Sequence, residues 1–252
     1  MRAWRVVVFG DSLTFHGPTR PEALTDPRLY PNVLAEALAA PGGQVQVDVV
    51  ARLGWTARDA WWALTKDPYV ATVLAPRATA VVLGVGQMDQ LPAAIPTYLR
   101  DGIPYLRPGW LRRAARDAYR AAGPRVIRAT GGRLRQLPQA ATDTYLERIT
   151  QAMRLLGPLG EFVPIVLLGP SPYAAAAYPS QRPHAPAVVA ARRWAGRHGV
   201  LFVDLDPLVG PSLRAGTGNP DGMHWGWQAH RAVGEALAAA LAGACTGRRP
   251  SR

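Results

Sequence analysis

The sequence is poor in cysteine, lysine and long apolar runs. Cys245 is the only cysteine among 252 residues, so an intrachain disulfide is excluded. Arg, Pro or Gly interrupts every apolar run well before about 18 residues, which excludes a membrane-spanning helix. The run Trp4–Phe9 is too short for the apolar region of a secretory signal, and no small-residue cleavage site follows it. We therefore expect a protein of the reducing cytoplasm.

Lysine is replaced almost entirely by arginine. Lys66 is the only lysine among 29 basic residues, and the formal net charge is +12. Ten Arg and two Asp lie between Arg100 and Arg135. A block of this density attracts phosphates or carboxylates, but it is equally compatible with a solvated helical face.

Short β-rich runs alternate with helical patterns along the chain. Most of the runs are dominated by Val, Leu and Ile, as expected for parallel strands buried on both faces. The alternation predicts a doubly wound α/β fold whose strands end at one common edge. The predicted strands are Trp4–Phe9, Gln44–Ala51, Thr79–Val85, Val163–Leu168 and Val200–Leu205. The predicted helices are Tyr30–Ala40, Thr56–Leu64, Thr142–Leu156, Pro186–His198 and Trp227–Ala242.

One long stretch interrupts this alternation. Residues 91–140 are rich in Arg, Pro, Gly and aromatic residues, and they far exceed a plain connection between a strand and a helix. We expect an inserted helical cap over the strand ends, within a single α/β domain spanning 1–242. The alternative is a peripheral elaboration without substrate contact. The small residues, Arg and Pro of 243–252 predict a disordered tail.

A candidate nucleophile directly follows the first strand. In Phe9-Gly10-Asp11-Ser12-Leu13, Ser12 would leave the strand end at the start of a turn, where its backbone N–H is also free. One residue would then provide both a nucleophile and an oxyanion donor. Taken alone, the motif is equally compatible with a turn in which the serine caps a helix.

A second motif lies just before the last predicted helix. Asp221 and His224 are three residues apart in Asp-Gly-Met-His-Trp, so that the Asp carboxylate can hold the imidazole tautomer that accepts the Ser12 proton. The alternative is an Asp-Gly turn with a packed histidine. His16 is a candidate substrate contact because it is close to Ser12 in sequence, and His230 is expected to face solvent.

Together these motifs resemble the SGNH hydrolases, a subset of the GDSL lipases and esterases. The resemblance implies a three-layer, flavodoxin-like α/β/α sandwich with a five-stranded parallel sheet and a Ser12–His224–Asp221 triad. It also implies that Gly54, in Arg-Leu-Gly-Trp-Thr, supplies a second oxyanion N–H.

The SGNH family carries its Ser, Gly, Asn and His in four sequence blocks. The third block of this chain departs from the family's Gly-x-Asn-Asp. Here the stretch reads Gly-Val-Gly-Gln-Met-Asp at 84–89, which places Met88 at the position of the Asn. A thioether does not donate a hydrogen bond. Either Gln87 supplies the donor, or Ser12 and Gly54 hold the oxyanion alone. Losing one such donor typically costs about 10²–10³ in rate.

Longer stretches resemble an actinobacterial octanoyltransferase subgroup of this family. That resemblance covers roughly residues 4–242 and implies transfer of an octanoyl group from an acyl-CoA donor to a sugar hydroxyl of a glycoside acceptor, a glucosylglycerate, through an acyl-serine intermediate. The stretches that carry it are Asp11–Leu13, Gly17–Thr19, Gly54–Trp62, Met88–Pro92, Arg107–Arg113 and Gly218–Trp225.

Such substrates need cationic and apolar contacts. CoA carries phosphates and glucosylglycerate a carboxylate, both good partners for Arg. The aromatic residues could line an acyl pocket or stack on sugar, although core packing is the common role of such residues. The predicted contacts are Asp89, Arg107, Trp110, Arg112, Arg113, Arg116, Trp61 and Trp225.

Two other functions remain open at this point. A carboxylesterase with the same triad would differ only in the second step, in which water replaces the sugar hydroxyl. A non-catalytic nucleic-acid-binding protein on the same scaffold would account for the +12 charge, although our interpretation includes no nucleic-acid partner. No dinucleotide or phosphate-loop motif and no zinc-ligand spacing occurs, so neither cofactor nor metal is expected.

Overall fold

The computed structural model describes residues 3–39, 44–158 and 162–246 and contains one five-stranded sheet. All paired strands are parallel, in the order β2-β1-β3-β4-β5. This is the flavodoxin-like order, and it confirms the predicted α/β class. The strands are β1 (Trp4–Gly10), β2 (Val45–Ala51), β3 (Ala80–Gly84), β4 (Ile165–Leu168) and β5 (Leu201–Val203).

Nine α-helices accompany the sheet in the described part of the chain. None of them is long and apolar enough to cross a membrane. They are α1 (Tyr30–Ala39), α2 (Ala57–Lys66), α3 (Gln87–Gln90), α4 (Thr97–Gly102), α5 (Gly109–Ala129), α6 (Gln139–Leu156), α7 (His184–His198), α8 (Asp206–Arg214) and α9 (Trp227–Thr246).

Alternate residues of each central strand enter separate cores on the two faces of the sheet. In β1, Val7 and Phe9 pack with apolar side chains of α2, α6 and α7. Val6 and Val8 pack on the opposite face with side chains of α1 and α9. Successive strand residues point to opposite faces, so a run of buried Val serves both cores and creates the three-layer sandwich.

The segment between α3 and α6 contains the inserted helices α4 and α5. Its two ends meet: Ala93 N–H donates to the Leu134 carbonyl (2.8 Å) and Gln136 N–H to the Leu91 carbonyl (2.8 Å). An ion pair of 2.6 Å between Arg58 and Asp101 ties α4 to α2. The segment is therefore a helical insertion whose two ends lie side by side on the domain.

Two predicted helix boundaries differ from the structure by three or more residues. The sixth helix begins at Gln139 rather than Thr142, and α9 continues to Thr246 rather than ending near residue 242. The last helix thus extends into the predicted tail because Gly243 and Ala244 still permit helical backbone. Residues 247–252 lie outside the described part.

Strand register decides which loops meet at the carboxyl edge. Gly10 pairs with Ala51 of β2 and with Gly84 of β3. Ser12, Gly54 and the turn at 85–88 follow these residues by a few positions. The first three sequence blocks therefore leave the sheet side by side.

Candidate active site

Ser12 begins a single 3-10 turn directly after β1 and is almost fully buried. The preceding Asp11 carboxylate accepts a hydrogen bond from the Leu13 N–H (2.9 Å). A Cβ at Gly10 would lie 1.9 Å from Thr14 Oγ1, so only glycine fits before this turn. Burial raises the pKa of Asp11 to about 7, against the lowering effect of the Leu13 N–H.

The three residues of the predicted triad form one chain of hydrogen bonds. His224 Nε2 lies 2.9 Å from Ser12 Oγ, and His224 Nδ1 lies 2.5 Å from Asp221 Oδ2. With the Nδ1 proton facing the carboxylate, Nε2 is left to accept the Ser12 proton. The geometry matches a nucleophile, a general base and an orienting acid.

Asp221 is itself held by the turn that carries it. Its Oδ1 accepts from the Met223 N–H (2.8 Å) and the His224 N–H (3.0 Å). Gly222 has φ +70°, and a Cβ there would lie 2.6 Å from the Ala174 carbonyl. The turn therefore requires a glycine and packs directly on the loop that follows β4.

The pKa shifts favour the reactive protonation states. Burial is the largest influence on His224 and lowers its pKa, and the Asp221 carboxylate offsets part of this effect. Burial alone would raise the pKa of Asp221, but hydrogen bonds from the His224 and Met223 N–H groups and from the His224 ring lower it overall. A neutral imidazole beside an ionised carboxylate is the form needed for proton abstraction.

Two further histidines support His224. The His16 ring stacks on the His224 ring with centroids 3.8 Å apart. His230 Nε2 lies 3.1 Å from the His16 carbonyl, and Tyr30 N–H donates to His230 Nδ1 (3.3 Å). His230 is fully buried, so its predicted solvent exposure was wrong, and burial lowers its pKa to about 4. Its place on the last helix, six residues after His224, did not reveal that this side chain faces the core.

Gln87 does not offer a free amide to an oxyanion in this structure. Its Nε2 donates to the carbonyls of Leu168 (3.3 Å) and Gly169 (2.8 Å), and its Oε1 accepts from the Ser171 N–H (2.5 Å). Both amide hydrogens are thus engaged in fixing the loop after β4. The prediction of Gln87 as a third donor is corrected, because a buried amide at this position satisfies backbone groups instead.

Two predicted substrate contacts are structural. The Asp89 side chain is buried and accepts from the Ala57 N–H (3.1 Å) and the Thr142 hydroxyl (2.9 Å). Trp225 is 2 % exposed, and its Nε1–H donates to Ser171 Oγ (3.0 Å). Both side chains face the interior and leave no surface for a ligand. Trp61 is half-buried and packs against the core beneath α2.

The other predicted contacts lie on the inserted segment. Trp110 is 62 % exposed, and α5 buries no residue before Gly123. The four predicted arginines have no carboxylate partner within the described residues. They therefore remain available to an anion, and none of them lines the crevice at Ser12. These arginines are Arg107, Arg112, Arg113 and Arg116.

A narrow crevice next to Ser12 has a lining that the sequence did not reveal. Its apolar walls come from the turn after β1, from α3 and its following loop, from the loop after β4 and from the triad turn. The position of the loop after β4 could have indicated part of this lining, because this loop leaves the sheet at the same edge as Ser12. The apolar lining residues are Leu13, Met88, Leu91, Pro172, Tyr173 and Met223.

Two backbone N–H groups remain as candidate oxyanion donors. Neither the Ser12 N–H nor the Gly54 N–H has a hydrogen-bond acceptor among the described residues. Gly54 has φ +74° and is exposed, so the chain turns there without burying the amide. Within the described ranges of the chain, no three His, Cys, Asp or Glu side chains cluster closely enough to hold a metal ion.

Two relatives match nearly the whole chain. A Mycolicibacterium hassiacum protein named diglucosylglycerate octanoyltransferase is 41% identical over 240 residues, which cover 94% of each chain. A Mycobacterium tuberculosis protein of the same name is 40% identical over 241 residues, covering 94% of this chain and 92% of that protein.

Solved structures share the fold at low identity. The aryl esterase of M. smegmatis superposes with a TM-score of 0.61 at 15% identity, covering 96% of this chain and 99% of the esterase. The structure of TesA gives a TM-score of 0.59 at 18% identity, covering 94% and 97%. The family profile described as GDSL-like Lipase/Acylhydrolase matches residues 8–232, which include the entire triad. The chain therefore belongs to the GDSL-like lipase/acylhydrolase family and is an enzyme that acts on acyl esters.

Proposed function

We propose that this enzyme transfers a medium-chain acyl group, octanoyl, from acyl-CoA to a sugar hydroxyl of a glucosylglycerate. The observation that carries the proposal is the identity of about 40% to two octanoyltransferases over 94% of this chain. The intact hydrogen-bond chain from Ser12 to Asp221 supports it, because transfer through an acyl-serine needs each of these groups. A cytoplasmic location, where acyl-CoA is made, belongs to the same proposal.

The first half-reaction loads the enzyme. His224 Nε2 takes the Ser12 proton over 2.9 Å, and Ser12 Oγ attacks the thioester carbonyl carbon. The N–H groups of Ser12 and Gly54 stabilise the oxyanion that develops. The C–S bond then breaks, CoA leaves as the thiol with the proton from His224, and the acyl group remains on Ser12.

The second half-reaction unloads it. A sugar hydroxyl enters where CoA left, His224 accepts its proton, and the oxygen attacks the acyl-serine carbonyl. The Ser12 Oγ–acyl bond breaks and the proton returns to Ser12. Transfer prevails over hydrolysis only where water is kept from the acyl-enzyme or outcompeted by the bound acceptor. The inserted segment, anchored beside the site by Ala93 and Gln136, is our candidate for keeping water from the acyl-enzyme. Its arginines without a carboxylate partner are our candidates for binding phosphate or carboxylate.

The direct test incubates the purified protein with octanoyl-CoA, with and without diglucosylglycerate, and follows free CoA and acylated products by mass spectrometry. We expect acceptor-dependent CoA release and an octanoylated glycoside, both abolished in Ser12→Ala. Release of CoA and octanoate at the same rate without acceptor would instead identify a hydrolase. Retention of full transfer activity by Ser12→Ala would contradict the acyl-serine route.

A further inference from the structure

The outward face of α5 is apolar, which reverses the usual arrangement of a surface helix. Successive residues of a helix are rotated by about 100° around its axis. The side of α5 turned toward the protein is marked by the half-buried Tyr119 and the buried Gly123 and Ile127. Within residues 109–122, the opposite arc contains only Trp, Leu and Ala, and all of these residues are exposed. They are Trp110, Leu111, Ala114, Ala118, Ala121 and Ala122.

Further large apolar side chains of the inserted segment are exposed just before this face. Tyr98 and Leu99 of α4 are 73 % and 51 % exposed, and Tyr105, which precedes α5, is 83 % exposed. Trp110 at the start of α5 is 62 % exposed. Single exposed apolar residues are ordinary, but a helix face and the turns before it that are apolar together indicate an interaction surface.

Positive charge borders the apolar face. Arg113, Arg116 and Arg120 lie next to it around the helix, and none of them forms an ion pair with a carboxylate of the described ranges. Asp117 is the only acidic residue of α5. The block from residue 100 to residue 135, with its ten Arg and two Asp, has a net charge of +8. A partner of this surface must therefore be anionic and must also accept apolar side chains.

An anionic lipid surface meets both requirements. Its phosphates pair with arginine, and the acyl chains below them accept Trp, Leu and Ala side chains. A second copy of this chain would bring two strongly positive blocks together, and a nucleic acid would leave the Leu and Ala face uncovered. No helix in the described part of the chain, α5 included, is long and apolar enough to cross a membrane. Helix α5 would therefore lie in the plane of the head groups.

We propose that the inserted segment docks this protein on an anionic membrane, with the axis of α5 parallel to the surface and Trp110 and Leu111 inserted below the head groups. The bordering arginines reach the lipid phosphates from the side of the helix. The ends of the segment meet at Leu91, which also lines the crevice at Ser12, so docking holds that crevice close to the lipid. The inference does not depend on the acyl transfer proposed above, because vesicle binding is measured without substrates.

The test measures binding of the purified full chain to vesicles by flotation. One set of vesicles is made of phosphatidylcholine alone, and the other of equal parts of phosphatidylcholine and phosphatidylglycerol. We expect binding to the mixed vesicles to be at least about tenfold stronger, because the attractions of several arginines to an anionic surface add up. About 0.5 M NaCl should weaken this binding without abolishing it, since salt screens the charges but not the apolar contact.

A double variant tests the inserted end of the helix. Trp110→Ala with Leu111→Ala should bind the mixed vesicles at least about tenfold more weakly than the wild type, because two apolar side chains no longer leave water. The matched control is Trp62→Ala with Leu155→Ala, which removes an exposed Trp and an exposed Leu of the α/β body. This control should bind the mixed vesicles as the wild type does.

A charge variant tests the rest of the apolar face. Ala118→Glu places a carboxylate in the middle of the face and should weaken binding to the mixed vesicles about tenfold. Ala239→Glu changes the net charge equally at an exposed position of α9. It should bind nearly as well as the wild type, so that a difference between the two variants reports on position rather than on total charge.

Absence of binding to the mixed vesicles, or equal losses in the α5 variants and their controls, would overturn the inference. Binding that disappears in high salt and is unaffected by both α5 variants would do the same, because it would show a contact made by charge alone. A dimer in light scattering that Ala118→Glu abolishes, without vesicle binding, would assign the face to a second copy and reject the membrane. Thermal melting identifies any variant that does not fold, and the other α5 variant then decides the outcome.

Discussion

At the scale of single residues, the imidazole of His224, the proposed general base, is restrained from three sides. Asp221 holds its Nδ1, Ser12 Oγ faces its Nε2, and the His16 ring covers one face. The backbone of His16 is in turn fixed by the buried His230. The motif spacing predicts the first two contacts, whereas the stacking partner depends on how the loop after β1 folds back over the triad.

The lowered pKa of His224 predicts the pH dependence of acyl transfer. A base whose pKa is below 6.5 stays neutral to lower pH, so the acidic limb of kcat/KM should have its midpoint below 6.5. The electrostatic influence of His16 contributes to this lowering. In His16→Ala the limb should therefore move to higher pH, as measured by kcat/KM from pH 4.5 to 8. An unmoved limb would show that His16 does not act on the His224 equilibrium.

Replacing Asp221 tests its role in orienting the His224 ring separately from any role in folding. Asn at this position keeps an oxygen for the N–H groups of Met223 and His224 but presents an amide N–H to the His224 ring, which stabilises the wrong tautomer. We expect Asp221→Asn to lower kcat by about 10³–10⁴. The side chain is 42% exposed, so the melting temperature should change little. A loss of less than tenfold in steady-state kcat would be incompatible with the assigned role.

At the scale of elements, Asp89 joins three helices. It lies on α3 and accepts hydrogen bonds from the first residue of α2 and from Thr142 on α6. An Asp that follows a strand at the site edge resembles a substrate contact in sequence. Its actual role depends on the approach of α2 and α6, and no local pattern around residue 89 encodes that approach.

Burial raises the pKa of Asp89 to about 6, and this predicts a pH effect on stability. The folded state binds a proton that the unfolded state, with a pKa of 3.8, has released. The contribution is therefore fully present below about pH 4 and is lost as the pH rises through about 6. Urea unfolding of wild type and Asp89→Asn at pH 4.5 and 7 should show a smaller decline for the variant, by about 1–3 kcal/mol. Identical declines would contradict the raised pKa.

At the scale of the whole molecule, the sequence predicts the sheet well and the insertion poorly. The central strands are continuous Val-rich runs buried on both faces, as in Val6–Phe9, and such runs have few alternative structures. Helix α8 was not predicted because Pro207, Gly210 and Pro211 within it are typical of loops. Trp225 was misassigned because a tryptophan beside the proposed catalytic histidine is compatible equally with the core and with a pocket.

The overall charge of +12 predicts a salt-sensitive affinity for the proposed acyl-CoA donor. Replacing Arg112, Arg113 and Arg116 by Ala should raise the KM for octanoyl-CoA about tenfold at low salt and weaken its dependence on ionic strength. Octanoyl transfer would be assayed between 20 and about 300 mM NaCl. The matched control removes three exposed arginines of the α/β body, Arg77, Arg193 and Arg197. An equal KM in both triple variants would assign the effect to net charge rather than to the inserted helix.

Ser12 and His224 are 212 residues apart in the chain, and this separation has a consequence for biosynthesis. A ribosome adds Ser12, the proposed nucleophile, 212 residues before it adds His224, the proposed base that activates it. Until the segment with Asp221 and His224 has left the exit tunnel and docked, the serine is an ordinary alcohol. On the proposed mechanism, a nascent or truncated chain that lacks this segment is therefore expected to be unreactive toward thioesters, because acyl chemistry requires both segments to be made and packed together.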